Sequence, residues 1–186
     1  VAKRCVPVEC EWDTPFGDLF ALLMIRNSLH VKDLSWYQYD QEIAAPTIDV
    51  CRWKRVQCDL DGNVTGLMFN NAGLSGSLPS EAGGLQHLQH LHLFDNEGLA
   101  GHLPTQLGRL PALFSLQIHE TNIGGTVPTE LGRLTYLQEL LVEETLLTGT
   151  MPTQICDLVH SGSLTNLRAS CKGDTARLEC SCCTCN

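Results

Sequence analysis

The sequence predicts an α/β solenoid, a row of short parallel strands wound into a coil whose two ends are closed by disulfide-bonded caps. Three observations carry this expectation. Apolar residues recur as L-x-x-L-x-L about every 24 residues. Prolines follow in phase at Pro79, Pro104, Pro128 and Pro152, at spacings of 25, 24 and 24. Ten cysteines are confined to the two ends of the 186-residue chain, with none between Cys58 and Cys156.

These observations divide the chain into residues 1–62, an N-terminal region and cap; 63–160, the repeats; and 161–186, a final partial repeat and C-terminal cap. Cys5, Cys10, Cys51 and Cys58 fall in the first part, and Cys156, Cys171, Cys180, Cys182, Cys183 and Cys185 in the last 31 residues. A high, even count is a disulfide framework in an oxidising compartment and a set of metal ligands, or a liability, in a reducing one. The tail CSCCTC meets metal-site spacings only loosely, so disulfides are the expected chemistry, with no pairing readable from spacing. The start, VAKRC, carries no apolar signal-peptide core, so any such peptide is expected to have been removed and the chain to be secreted or on the cell surface.

The repeats align from Val64, Leu88, Leu113 and Leu137. Their apolar positions are Val64, Leu67 and Phe69; Leu88, Leu91 and Leu93; Leu113, Leu116 and Ile118; Leu137, Leu140 and Val142. Gly76, Gly101, Gly125 and Gly149 keep the same phase, and SLTNLRAS, with Leu164 and Leu167, is a shorter fifth echo. After each proline a Ser or Thr is placed to cap a helical turn. This period and pattern are the signature of leucine-rich repeats. One unit cannot bury its own apolar face, so four or five stack into a parallel sheet on the concave side and the ends need cover.

The segment L-x-G-x-L-P-x-x-L-G-x-L resembles the plant-specific class of extracellular leucine-rich repeats. The N-terminal flank resembles the cap of that family: a helix from Asp18 to Leu29, then Trp36, CRWKRVQCD and GNVTGL. The resemblance implies a Cys51–Cys58 disulfide, with Trp36 and Trp53 packing the cap. NNAGLSGSLP resembles the first repeat of somatic embryogenesis receptor kinase ectodomains, whereas LECSCCTCN is more similar to secreted leucine-rich repeat proteins of diatoms and related algae. The asparagine that forms a ladder in the family is kept only at Asn96; Ala72, Thr121 and Thr145 hold the other positions. A somewhat altered turn is expected there.

Side chains alternate along a strand, so residues between the core positions face outward on the concave side. Two columns follow: Asn70, Phe94, His119, Glu143 and Met68, His92, Gln117, Leu141, with His90 and Glu139 beside them. These ten residues mix aromatic, apolar and charged groups, as a protein or peptide site does. His90 and His92, two apart on one strand, with Glu143 nearby, are a weaker metal candidate, and the three histidines a pH-sensitive one. Glu120, Glu139, Glu143 and Glu144 make the last repeats acidic. Columns at Ser80, Thr105, Thr129, Thr153 and at Ser77, Thr126, Thr150 allow ice binding as a minor reading.

Net charge is −9, from 12 basic and 21 acidic residues, which argues against a nucleic-acid partner and favours a basic one. No run of 18 apolar residues exists to span a bilayer. Nucleophile-elbow, zinc-protease, P-loop and dinucleotide motifs are absent, so no catalytic residue, cofactor or metal is expected. Asn63-Val64-Thr65 is a glycosylation sequon. The function expected is non-catalytic, extracellular recognition of a protein or peptide by the concave face. The alternative is a structural subunit of an extracellular layer or membrane complex, anchored through its cysteine tail.

Overall fold

The computed structural model describes residues 16–31, 49–171 and 177–185. Cys5, Cys10 and Trp36 lie outside them. The chain opens with α1 (Phe16–Ser28) and β1 (Leu29–Val31), followed by β2 (Val56–Cys58) and β3 (Val64–Met68). The repeats contribute β4 (Leu74–Ser77), β5 (His90–His92), β6 (Asn96–His102), β7 (Ser115–Gln117), β8 (Thr121–Gly125), β9 (Glu139–Leu141), β10 (Leu146–Leu147) and β11 (Gly149–Thr150). Then come α2 (Thr153–His160), β12 (Asn166–Ala169), β13 (Leu178–Glu179) and β14 (Thr184–Cys185).

The L-x-x-L-x-L segments build one seven-stranded sheet, in the order β14-β12-β9-β7-β5-β3-β2, parallel except for β2. The leucines of this pattern point inward: Leu91, Leu116 and Leu140 are opposed in register and fully buried. Each coil adds them to one continuous core, and burial of each leucine stabilises the stack by about 1.5–3 kcal/mol.

The L-x-G-x segments form a second, five-stranded sheet, β1-β4-β6-β8-β10, which the sequence pattern did not announce. Glycine-rich strands run against β propensity. Gly76, Gly101, Gly125 and Gly149 have φ of +78° to +102°, a backbone that side-chain-bearing residues rarely adopt. At Gly76 a Cβ would also overlap the Ser28 carbonyl, where β1 pairs antiparallel with β4.

The helical turns after the prolines are 3-10 turns, Ser80–Gly84, Thr105–Arg109 and Thr129–Arg133, with α2 replacing them in the last coil. The expected Ser/Thr caps are absent. Proline is the N-cap, without a side-chain bond, and each hydroxyl donates to its neighbour instead: Ser80 to Glu81, Thr105 to Gln106, Thr129 to Glu130. The reason is that the extended backbone that proline favours sets the turn directly, leaving Ser or Thr one residue too late to cap it. Glycine then follows from crowding between coils, since a Cβ on Gly83 or Gly108 would overlap the carbonyl oxygen of Gln106 or Glu130 in the next turn.

Asn96 is 1% exposed and ties two coils together. Its Nδ2 donates to the carbonyls of Phe69 (2.8 Å), Leu93 (2.7 Å) and Phe94 (3.0 Å), and its Oδ1 accepts from Ala72 N (3.1 Å) and Leu74 N (2.8 Å). Thr121 and Thr145 keep only the bonds within their own coil, to Ile118 and Val142 carbonyls and from Ile123 and Leu147 amides. The turn itself is not altered: Asp95, Glu120 and Glu144 all sit at φ of +53° to +60°. The threonines change the bonds and leave the path.

The ends are covered by different means. At the entry, α1 packs its Ala21, Leu22 and Ile25 against the first coil, and the buried Asp18 carboxylate accepts from Val64 N at 2.9 Å. Burial pushes the Asp18 carboxyl above its ordinary range, with the Val64 bond opposing it. Trp53 is buried in the cap core, and Arg55 donates to the Met68 (3.1 Å) and Asn70 (2.9 Å) carbonyls at the edge of the large sheet. Cys51 and Cys58 are bonded. At the exit β13 pairs in parallel with β11 as a separate two-stranded sheet, and β14 pairs with β12 at the edge of the seven-stranded one. Cys156–Cys182, Cys171–Cys185 and Cys180–Cys183 cross-link the tail.

Removing the Asn96 side chain strands two amides and several carbonyls, so Asn96→Ala is expected to cost about 3 kcal/mol in urea unfolding, and Asn96→Thr distinctly less. A cost below about 1 kcal/mol for alanine would remove Asn96 from this role. Opening the short entry loop by Cys51→Ala/Cys58→Ala is expected to cost about 2–3 kcal/mol. A double variant that melts with wild type would show that the bridge does not hold the cap.

Candidate functional site

The outward residues of the seven-stranded sheet stack in register. One row runs Gly66, His90, Ser115, Glu139, Asn166, and the next Met68, His92, Gln117, Leu141, Arg168. Backbone bonds from Asn71 N to Phe94 O, Asp95 N to His119 O and Glu120 N to Glu143 O carry the third row, Asn70, Phe94, His119, Glu143. The ten residues singled out from the sequence therefore share one face. They do not share one environment.

Five rings form a continuous band across this face. Phe114 meets His90 edge-on at 5.7 Å, His90 meets His92 at 5.7 Å, and His92 is tilted against Phe94 at 6.3 Å. Phe94 and His119 are stacked at 4.5 Å, 10° from parallel. Phe114 is exposed and was missed from sequence, because it lies one residue after the first leucine of its repeat, outside the alternating rows. Its signal was the only aromatic residue at a position that elsewhere holds Thr65, Gln89, Gln138 and Thr165.

Leu141, at 9% exposure, and Glu143, at 6%, face the same side but are covered. Leu141 is flanked in register by Gln117 and Arg168. Glu143 lies 3.6 Å from the Arg168 guanidinium through Oε1. Its Oε2 and His119 Nδ1 are buried without a hydrogen-bond partner. Solvent therefore meets the ring band, Met68, Asn70, Gln117 and Glu139 first.

Ser115, 1% exposed, organises the polar half. Its hydroxyl donates to Glu139 Oε2 at 2.9 Å, and Gln117 Nε2 donates to both Ser115 Oγ (3.2 Å) and Glu139 Oε2 (3.1 Å). The one serine proton being used, His92 Nε2, 3.0 Å away, must donate to Ser115 Oγ. This fixes the His92 tautomer. In this arrangement the serine hydroxyl donates to the carboxylate and the imidazole donates to the serine oxygen, the reverse of the direction in which a base takes a nucleophile's proton.

Burial pushes the His92 imidazole below its ordinary range; the His90 and His119 charges add to this, and Glu139 opposes them. Burial alone would raise the Glu139 carboxyl, but bonds from Ser115, Asn166 and Gln117, with the His92 charge, hold it below the usual carboxylate range. Beside this face the left-handed turns line a groove of about 540 Å³ with Asn71, Asp95, Glu97, Glu120, Asn122 and Glu144. The hydrogen bond with Asp95 and its charge hold the Glu120 carboxyl above its ordinary value.

The histidine–glutamate metal candidate does not assemble: among the described residues, only Cys180, Cys182 and Cys183 gather three ligand atoms within 4.8 Å of one another. Asn63, half-buried, closes the β2–β3 hairpin, its Nδ2 donating to Asp59 Oδ2 at 2.9 Å. No described helix is long and apolar enough to cross a membrane.

His92 gives a signed pH dependence. With its folded pKa below the unfolded value of 6.5, the neutral imidazole favours the folded state. That contribution is present above 6.5 and lost as pH falls through the folded value. Melting temperatures measured downward from pH 7.5 should therefore fall more for wild type than for His92→Gln. Parallel curves would remove His92 as the source. A second loss, from Glu139, should follow below 4.5 as its depressed carboxyl takes a proton.

No protein-family model matches the chain. Leucine-rich repeat protein 1 of Arabidopsis thaliana is 39% identical over 73 residues, which is 39% of this chain. The chain spans about a third (32%) of the length of that relative. The BIR2 ectodomain of Arabidopsis thaliana superposes with a TM-score of 0.71 at 26% identity, covering 82% of this chain and 78% of that one. The ectodomain of the Arabidopsis receptor kinase GASSHO1/SCHENGEN3, solved with CASPARIAN STRIP INTEGRITY FACTOR 2, gives 0.65 at 29% identity, covering 85% of this chain and 18% of that one. With the in-phase leucines, the proline-started turns and the doubled parallel sheets, these likenesses show that the chain has the leucine-rich repeat solenoid fold of the plant ectodomains it resembles.

Proposed function

We propose that this chain is a non-catalytic extracellular recognition module whose concave face binds an extended segment of a protein or peptide, with a preference for basic side chains. The observation that carries this reading is the band of five rings set against Glu139. Aromatic rings give a ligand large contact area at low entropic cost and accept cations on their faces. Glu139, ionised at neutral pH because its pKa lies below the carboxylate range, supplies the opposite charge. Arg168 is the one Lys or Arg in the three rows, and its guanidinium lies 3.6 Å from Glu143.

The likeness to GASSHO1/SCHENGEN3, solved with CASPARIAN STRIP INTEGRITY FACTOR 2, supports a ligand-binding role. Four disulfides among the described residues support an oxidising compartment, and in such a compartment Asn63 is the glycan acceptor. The rival reading, a structural subunit anchored by its tail, needs an unpaired tail cysteine. All six of the last cysteines are instead paired with one another.

Panning a random peptide library against the folded protein tests the reading. Wild type should enrich peptides carrying Lys or Arg, and Phe94→Ala/Phe114→Ser should lose them while melting cooperatively. Enrichment that is indifferent to the double variant, or absent from wild type, contradicts the proposal.

A further inference from the structure

The C-terminal cap contains the densest group of metal-ligating atoms among the described residues. The Sγ atoms of Cys180, Cys182 and Cys183 lie within 4.8 Å of one another, and Cys180 Sγ is 3.8 Å from Cys182 Sγ. They come from two different disulfides, Cys180–Cys183 and Cys156–Cys182, the second reaching back to α2. Three of the four sulfurs of these two bonds thus make one cluster, and the fourth, Cys156 Sγ, is bonded to one of them, Cys182. Ligands of a tetrahedral zinc–thiolate centre stand about 2.3 Å from the ion and hence about 3.8 Å from one another. The contact between the two disulfides already has that length.

The scaffold around the cluster does not depend on the sulfur–sulfur bonds alone. Cys156 is carried by α2 and is 7% exposed. The three tail cysteines lie between β13, paired with β11, and β14, paired with β12. Strand pairing on both sides sets the three tail cysteines beside α2 in the oxidised chain, and the metal would take over that closure when the bonds open.

We propose that Cys156, Cys180, Cys182 and Cys183 form a four-thiolate site for Zn²⁺ when their two disulfides are reduced, so that the same end of the solenoid is closed either by oxidation or by a metal. Each disulfide takes two electrons and two protons from a dithiol reductant, becoming two thiols, while the dithiol leaves as its own disulfide. Zn²⁺ then displaces four thiol protons, because the thiolate is the ligand form, and undergoes no redox change. A borderline-soft ion without geometric preference suits four sulfurs held by a loop and one helix. Cys171–Cys185 and Cys51–Cys58 lie outside the cluster and serve as internal controls.

The full chain, reduced with dithiothreitol and freed of it without air, is titrated with Zn²⁺ against a chelating dye and with Co²⁺ for its visible spectrum. Expected are a single tightly held Zn²⁺, a tetrahedral thiolate spectrum with Co²⁺, and the same result in Cys171→Ser/Cys185→Ser. Cys180→Ser/Cys183→Ser should bind more than roughly tenfold more weakly, with circular dichroism showing its repeats intact. Failure of the reduced wild type to bind zinc, or equal binding by Cys180→Ser/Cys183→Ser, overturns the proposal.

Discussion

The structure depends on one constraint: no coil can bury its own leucines. Each turn of the solenoid exposes an apolar layer that only the next turn covers, and each short strand leaves amides and carbonyls that only its neighbours can pair. Both needs are met by the same displacement. Leu91, Leu116 and Leu140 stack in register because their strands pair in register, and Asn96 adds side-chain bonds across the same gap. Stability is therefore a sum of nearest-neighbour interfaces, and the problem is moved to the two ends.

The ends solve it with unlike materials. The entry uses a helix, a buried aspartate bonded to a strand amide, a tryptophan and an arginine that takes up edge carbonyls. At the exit, residues 177–185 add β14 to the seven-stranded sheet, pair β13 with β11 in a separate two-stranded sheet, and are cross-linked. Once inward residues and ends have carried the fold, the outward rows of the large sheet are free to differ from coil to coil. Gly66, His90, Ser115, Glu139 and Asn166 occupy one equivalent position with five different chemistries.

The inward half of this architecture was legible because it is periodic: the spacing of Leu88, Leu91 and Leu93 states which way each points. What escaped depends on neighbours in space. The second sheet is built from glycines that pair because adjacent coils hold them, against their local preference. Leu141 and Glu143 are on the expected face but deeper than alternation alone implies, since burial depends on neighbours in space. Phe114 fell outside the alternation, yet it completes the ring band. The serine and threonine after each proline were mistaken for caps, because proline's own backbone geometry starts the turn. Cysteine pairing in the tail depends on how the tail folds back, which spacing does not encode.

The central claim is a division of labour: stacked leucines hold the middle, and disulfides seal the ends. Native-state hydrogen exchange before and after mild reduction separates these contributions residue by residue. The account predicts that amides of β7 and its neighbours keep their protection in the reduced chain, while those of β2, β13 and β14 lose it. Uniform loss of protection along the whole chain on reduction would contradict it.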